Sequence, residues 1–159
     1  MNTPDSLDLK TPGVVPPPVV FLGALCIGLA IHCIKPRALL ADAAIGHATG
    51  GILIVLGLAL STWVVLHFRR SGTPVSPLQP SRLLIVSGPY RFSRNPDYIG
   101  QALFCAGMAL VLNSMWVLLA QLPALVLVRY FVIAREERYL ASRFGARYAG
   151  YCQRVPRWF

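Results

Sequence analysis

The sequence predicts an all-α membrane protein with about four transmembrane helices, a cytoplasmic proline-rich loop and a C-terminal amphipathic helical tail. Three observations carry that expectation. The 159 residues are 55% hydrophobic and only 13% charged, against about 25% charged in ordinary soluble domains. The apolar residues come in runs close to the roughly 20 needed to cross a bilayer as a helix. The basic residues exceed the acidic ones by a net charge of +9 and gather in two segments between and after those runs. The positive-inside effect accounts for that excess, and with no aromatic–basic RNA motif present, nucleic acid is not an expected partner. The length fits a single membrane domain, residues 1–159.

The first expected span covers 14–34. It opens on Pro16-Pro17-Pro18, suited to an extended lead or a first helical turn, and stops at Lys35-Pro36-Arg37. The preceding Met1 to Gly13 carries Asp5 and Asp8 and no basic run of the signal-peptide kind, so this span is expected to be retained. The second covers 45–68 and ends at Arg69-Arg70, with Gly46 and Gly50 at a spacing that permits close helix contact. From Tyr98 to Ala134 the chain has no charge before Arg129 and is too long for one span. Asn113-Ser114 near its middle, beside Trp116, predicts a helical hairpin of 98–112 and 115–134.

Arginine placement sets the expected orientation. Five arginines lie between Arg69 and Arg94, and six between Arg135 and Arg157. The hairpin puts both groups on one side, the cytoplasmic one, and outweighs Lys35 and Arg37 in the first loop. Both termini are then cytoplasmic, in a bacterial inner membrane.

The two polar segments, 69–97 and 135–159, hold the expected chemistry. Ser71 to Pro80 contains three prolines and favours an extended path. Gly88 to Gly100 then packs two prolines, two tyrosines and the planar guanidinium forks of Arg91 and Arg94 into a shaped loop. On a helix over 135–145, advancing 100° per residue, Leu140 and Phe144 form an apolar stripe flanked by Glu136 and Glu137. Arg135 and Arg138 project away. Carboxylates so near hydrocarbon need partners, which Arg91 or Arg94 would supply. Tyr148 and Tyr151 are expected at headgroup level, and Arg129 to snorkel to the interface.

Other chemistry is excluded on pattern. Cys26, Cys33, Cys105 and Cys152 form no CxxC pair, and His32, His47 and His67 have no metal-ligand spacing, so no metal is expected. There is no dinucleotide fingerprint, P-loop or nucleophile elbow. Any nucleotide-like cofactor must be held by the helices and their polar loops.

Gly88-Pro89-Tyr90-Arg91, then Arg94-Asn95-Pro96-x-Tyr98-Ile99-Gly100, form one motif; Arg135-Glu136-Glu137-Arg138-Tyr139-Leu140 forms a second. Phe144-Gly145-x-x-Tyr148-x-x-Tyr151-x-x-Arg154-Val155-Pro156 follows. In this order the segments resemble the isoprenylcysteine carboxyl methyltransferase family and the related phospholipid N-methyltransferases, over roughly the C-terminal half. The resemblance implies S-adenosylmethionine as methyl donor in a cytoplasmic pocket. Gly88, Pro89, Tyr90, Arg94, Asn95, Pro96, Tyr98, Gly100, Glu136 and Glu137 are then the candidate cofactor-binding residues, and Arg91 and Arg154 the candidate catalytic ones. The family often has His where this chain has Asn95, which keeps hydrogen bonding and loses titration.

The residue chemistry suits that cofactor. A carboxylate accepts from ribose hydroxyls, an arginine grips the methionyl carboxylate, and a tyrosine face meets the sulfonium. The expected acceptor is a lipid-like or prenylcysteine-type carboxylate arriving from the bilayer, which needs no general base. A lipid-modifying membrane reductase using a nicotinamide cofactor, or a non-enzymatic membrane subunit, are the alternatives.

Overall fold

The computed structural model describes residues 16–72 and 83–158, and these are helices and connecting turns without a strand. The expected extended path over residues 73–80 and the start of the first span at Val14 lie outside the described residues. Helix α1 (Pro17–Ile34) begins on the proline pair, where a missing N–H costs nothing, and ends before Pro36. Helix α2 (Ala43–Arg70) is capped by Asp42, whose carboxylate accepts from the Ala44 N–H at 2.8 Å. Helix α3 (Pro96–Val111) again starts on a proline, with Asp97 in its first turn. Helix α4 (Met115–Leu127) is capped by Ser114, whose Oγ accepts from the Val117 N–H at 3.3 Å.

The helix that carries the last expected span continues past residue 134. α4 runs through a π-helical turn (Val128–Ile133) into α5 (Ala134–Phe144), forming one continuous rod. The wider turn lets the neighbours Val132 and Ile133 both be buried. Helix α6 (Ala146–Arg154) follows after the Gly145 break.

Among the described residues, three helices are long and apolar enough to cross a membrane: Pro17–Ile34, Ala43–Arg70 and Met115–Phe144. The expected span at 98–112 is the 16-residue α3, about 24 Å long against a hydrocarbon core of about 30 Å. Its place is fixed by packing against α2. A Cβ on Gly57 would stand 2.6 Å from the Gly100 carbonyl oxygen, and one on Gly50 would stand 2.7 Å from that of Gly107. Only glycine lets the two backbones approach so closely, and the Gly46–Gly50 spacing flagged in the sequence is part of this contact.

The two ends of the bundle differ. At one end the α3–α4 turn is locked to the α1–α2 loop. Asn113, at φ 44°, accepts from the Leu39 and Leu40 N–H groups at 3.0 and 2.8 Å and donates to the Leu40 carbonyl at 3.0 Å. Trp116 Nε1 donates to the Lys35 carbonyl at 2.7 Å. At the other end converge the C-termini of α2 and α4, the N-terminus of α3, and α5–α6. Phe21, Tyr98, Cys105, Val128, Val132 and Ile133 form the core beneath that end, with Trp158 packed against it.

Candidate functional site

The polar end is organised by the loop between α2 and α3. Gly88 takes φ +61°, and a Cβ there would meet the His67 ring at 2.8 Å, so the chain turns tightly over the end of α2. His67 Nε2 and Ser87 Oγ are 3.0 Å apart. Pro89 is buried in the single 3₁₀ turn Gly88–Arg91. The Tyr90 ring meets Phe68 edge-on with centroids 5.7 Å apart, and its carbonyl accepts from Tyr151 Oη at 2.8 Å. Burial raises the Tyr90 hydroxyl well above its ordinary pKa, helped by the charges of Asp97 and Glu136.

From Ser93 to Asn95 the loop is stitched to the segment after α6. The Arg94 N–H donates to the Pro156 carbonyl at 3.0 Å. Ser93 Oγ and Asn95 Nδ2 both donate to the Arg157 carbonyl, at 3.1 and 2.9 Å, and the Asn95 N–H donates to Ser93 Oγ at 3.1 Å. Asn95 is therefore buried and used in structure.

Glu137 sits between two arginines. Arg157 grips it with a fork, Nε to Oε1 at 3.0 Å and Nη2 to Oε2 at 2.7 Å. Arg94 Nη1 adds a bond to Oε1 at 3.1 Å and lies 3.0 Å from Cys152 Sγ. Burial alone would lower the Arg94 pKa, but the neighbouring Cys152 and Glu137 outweigh it and raise it. Among the described residues Arg94 Nε is buried without a hydrogen-bond partner, while the Tyr148 hydroxyl meets the same guanidinium. The trio carries a net charge of about +1.

Glu136 has a different setting. Its Oε2 accepts from Tyr98 Oη at 2.8 Å, and among the described residues no cation lies within ion-pair distance of it. Asp97, one residue before Tyr98, accepts from Gln101 Nε2 at 2.7 Å and likewise lacks a cation. Adjacent carboxylates on one helix thus face opposite walls, one neutralised and one held by a phenol.

The structure brings together Arg94, Asn95, Tyr98, Glu136 and Glu137, with Gly88, Pro89, Tyr90 and Pro96 shaping the loop beside them. Arg91 and Arg154 are exposed. The Arg91 guanidinium lies 5.1 Å from the Phe92 ring centroid, and Arg154 Nε donates to the Gly150 carbonyl. Gly100 lies in the α2–α3 contact, where a Cβ would come within 2.5 Å of Ser61 Oγ.

Two expectations are corrected. Tyr148 and Tyr151 are not headgroup anchors: both are buried, packed with Val155 against Leu84, Leu140 and Phe144. Arg135 does not simply project away, because its Nε is buried. Arg157, Ser93 and Asp97 also join this end and were not among the residues expected from sequence. Arg157 had a legible signal, since a second arginine beyond Arg154 offers a counter-charge for two acids.

The sequence profile of phospholipid methyltransferases matches residues 45–147. The chain is 32% identical to protein-S-isoprenylcysteine O-methyltransferase B of Arabidopsis thaliana, over 67% of this chain and 55% of that one. It is 37% identical to the protein-S-isoprenylcysteine O-methyltransferase of Schizosaccharomyces pombe, over 46% of this chain and 31% of that one. It is 28% identical to the cobalt-zinc-cadmium resistance protein CzcN of Cupriavidus metallidurans, over 71% and 63%. The chain spans between about a third and two thirds of the length of these relatives. No solved structure matches it. The family match covers most of the chain, including nearly all of α2, α3, the rod from α4 to α5 and both Glu136 and Glu137; the chain belongs to the phospholipid methyltransferase family.

Proposed function

We propose that this chain transfers a methyl group from S-adenosylmethionine to the carboxylate of a lipid-like or prenylcysteine-type acceptor. The reaction takes place at the cytoplasmic face of a bacterial inner membrane, with α3 as a short fourth span. The observation that carries the reading is the split setting of Glu136 and Glu137 beside Arg94, an arginine with a buried, uncommitted donor.

The residues fit the cofactor. Arg94 Nε makes no hydrogen bond among the described residues, although the Tyr148 hydroxyl also meets the guanidinium, and the net positive Arg94–Glu137–Arg157 trio suits the methionyl carboxylate. Glu136, bonded to a neutral phenol, remains an acceptor for ribose hydroxyls. The rings of Tyr90 and Tyr98, beside the acids, are assigned to the sulfonium cation. When bound, the cofactor supplies an electrophilic methyl group on a sulfonium. The chain's own contribution is positioning: the loop and α5 hold the donor, and the bilayer delivers the acceptor along the helices. Arg91 and Arg154, exposed on the same polar end, are assigned to the anionic acceptor. A carboxylate acceptor needs no general base.

The isoprenylcysteine methyltransferase names of two relatives support the acceptor class. Calorimetry of the detergent-purified protein with S-adenosylhomocysteine tests the donor. Binding is expected, and Arg94→Ala should weaken it tenfold or more. Absence of binding to the unaltered protein refutes the proposal. A transfer assay with labelled methyl donor over extracted membranes identifies the acceptor.

A further inference from the structure

Arg157 joins both halves of the site. Its carbonyl takes the Ser93 and Asn95 side chains, while its guanidinium takes both oxygens of Glu137. Its neighbours anchor it: Val155 lies in the tyrosine cluster and Trp158 packs against the main core. This is unlike a frayed surface ion pair, because the fork is bidentate and Glu137 is only 20% exposed.

The fork has a consequence for Arg94. Glu137 receives two bonds from Arg157 and one, at 3.1 Å, from Arg94. A carboxylate already satisfied on both oxygens draws only one corner of Arg94, whose Nε stays uncommitted. Without Arg157, the same carboxylate would be free to take Arg94 in a full fork and quench it. We propose that Arg157 is a positioning residue that keeps Arg94 available for the carboxylate of the methyl donor, by neutralising Glu137. This rests on the methyl-donor reading above and adds to it the residue that sets carboxylate recognition.

The test compares two ligands, S-adenosylhomocysteine and its analogue lacking the carboxylate, by calorimetry on the full chain in detergent. The unaltered protein should prefer the carboxylate-bearing ligand by tenfold or more. Arg157→Ala should weaken that ligand about tenfold and the analogue less than threefold, so that the preference collapses. Arg157→Lys keeps the charge without the fork and should fall between. In the double variant Arg157→Ala/Glu137→Gln, the neutral amide no longer quenches Arg94, and the preference should return. Arg147→Ala, an exposed arginine on α6, should leave both affinities unchanged.

Equal weakening of both ligands by Arg157→Ala, or no recovery in the double variant, overturns the proposal and marks Arg157 as a structural brace. Binding of neither ligand to the unaltered protein overturns the methyl-donor reading itself, so the two failures are distinct. If Arg157→Ala fails to fold, the Arg157→Lys preference decides: an undiminished preference overturns the proposal.

Discussion

The α2–α3 contact makes a prediction whose sign reverses within one helix. An alanine Cβ at Gly57 would stand 2.6 Å from the Gly100 carbonyl oxygen and 2.7 Å from the Phe104 nitrogen. Both are backbone atoms, so no side chain can swing aside. Restoring an ordinary contact of 3.4 Å requires the helices to part by roughly 0.8 Å. Overpacking of this kind costs about 1–3 kcal/mol. Gly51, on the same helix, has nothing within 4 Å of its would-be Cβ. There alanine adds helix propensity, up to about 1 kcal/mol, and meets no obstacle. The two variants should therefore change stability in opposite directions and differ by about 1–4 kcal/mol. Thermal unfolding in detergent, followed by helical circular dichroism, reads this directly. A Gly57→Ala protein as stable as the unaltered one, or a Gly51→Ala protein less stable than Gly57→Ala, refutes the packing argument. The comparison also reaches the site, because Gly100 is the partner of Gly57. Gly100→Ala and Gly57→Ala should lower stability and S-adenosylhomocysteine affinity together. Loss of affinity in Gly100→Ala with stability intact would instead place Gly100 against the ligand.

Three further outcomes follow from the geometry. Asn113→Ala removes three hydrogen bonds between the hairpin and the first loop, and should cost about 2–3 kcal/mol of stability while leaving ligand affinity unchanged, since the site is at the other end. Asn113→Gly tolerates φ 44° better and should recover part of that loss in the same unfolding measurement. Tyr98→Phe keeps the buried ring but leaves the Glu136 carboxylate without its donor, so calorimetry should show a several-fold fall in affinity with a stability loss of about 1–3 kcal/mol. Arg91→Ala and Arg154→Ala should leave S-adenosylhomocysteine affinity within threefold, because both side chains are exposed, while lowering kcat/KM for the acceptor in a transfer assay.

Hydropathy and proline placement made most of the fold legible. Pro17 and Pro96 start helices, Lys35-Pro36 ends one, and Asn113-Ser114 makes the hairpin, all local features whose physics does not depend on distant contacts. The rod from Met115 to Phe144 was not legible, because charge at Arg135 marks the end of hydrocarbon and not the end of a helix. The site was half legible. That two acids flank an apolar stripe follows from 100° per residue. Which acid meets which partner does not, since Glu137 finds Arg157 through a segment that must first fold back over Ser93 and Asn95. The tyrosine spacing in α6 was equally consistent with a membrane surface and with the buried cluster the structure contains.

The adjacency of Glu136 and Glu137 explains why one short helix can serve both halves of a divided site. Successive residues on a helix point about 100° apart. A helix inserted between two walls therefore presents consecutive side chains to different walls, whereas residues three or four apart would crowd the same one. Here one wall is the α3 N-terminus, which offers Tyr98, and the other is the Ser93–Asn95 loop with Arg157. Exchanging the walls' chemistry is then not equivalent to exchanging the acids. Glu137→Asp shortens the reach by one methylene while two arginines compete for the oxygens, so their positive ends should close over the gap. Glu136→Asp withdraws the carboxylate from the only hydrogen-bond donor it meets among the described residues, leaving a buried phenol unpaired. Such an unpaired group costs about 1–3 kcal/mol, so the shortening should be tolerated at Glu137 and not at Glu136. Unfolding of the two aspartate variants in the same detergent checks the order, and the reverse order would refute the division into one ionic and one neutral wall.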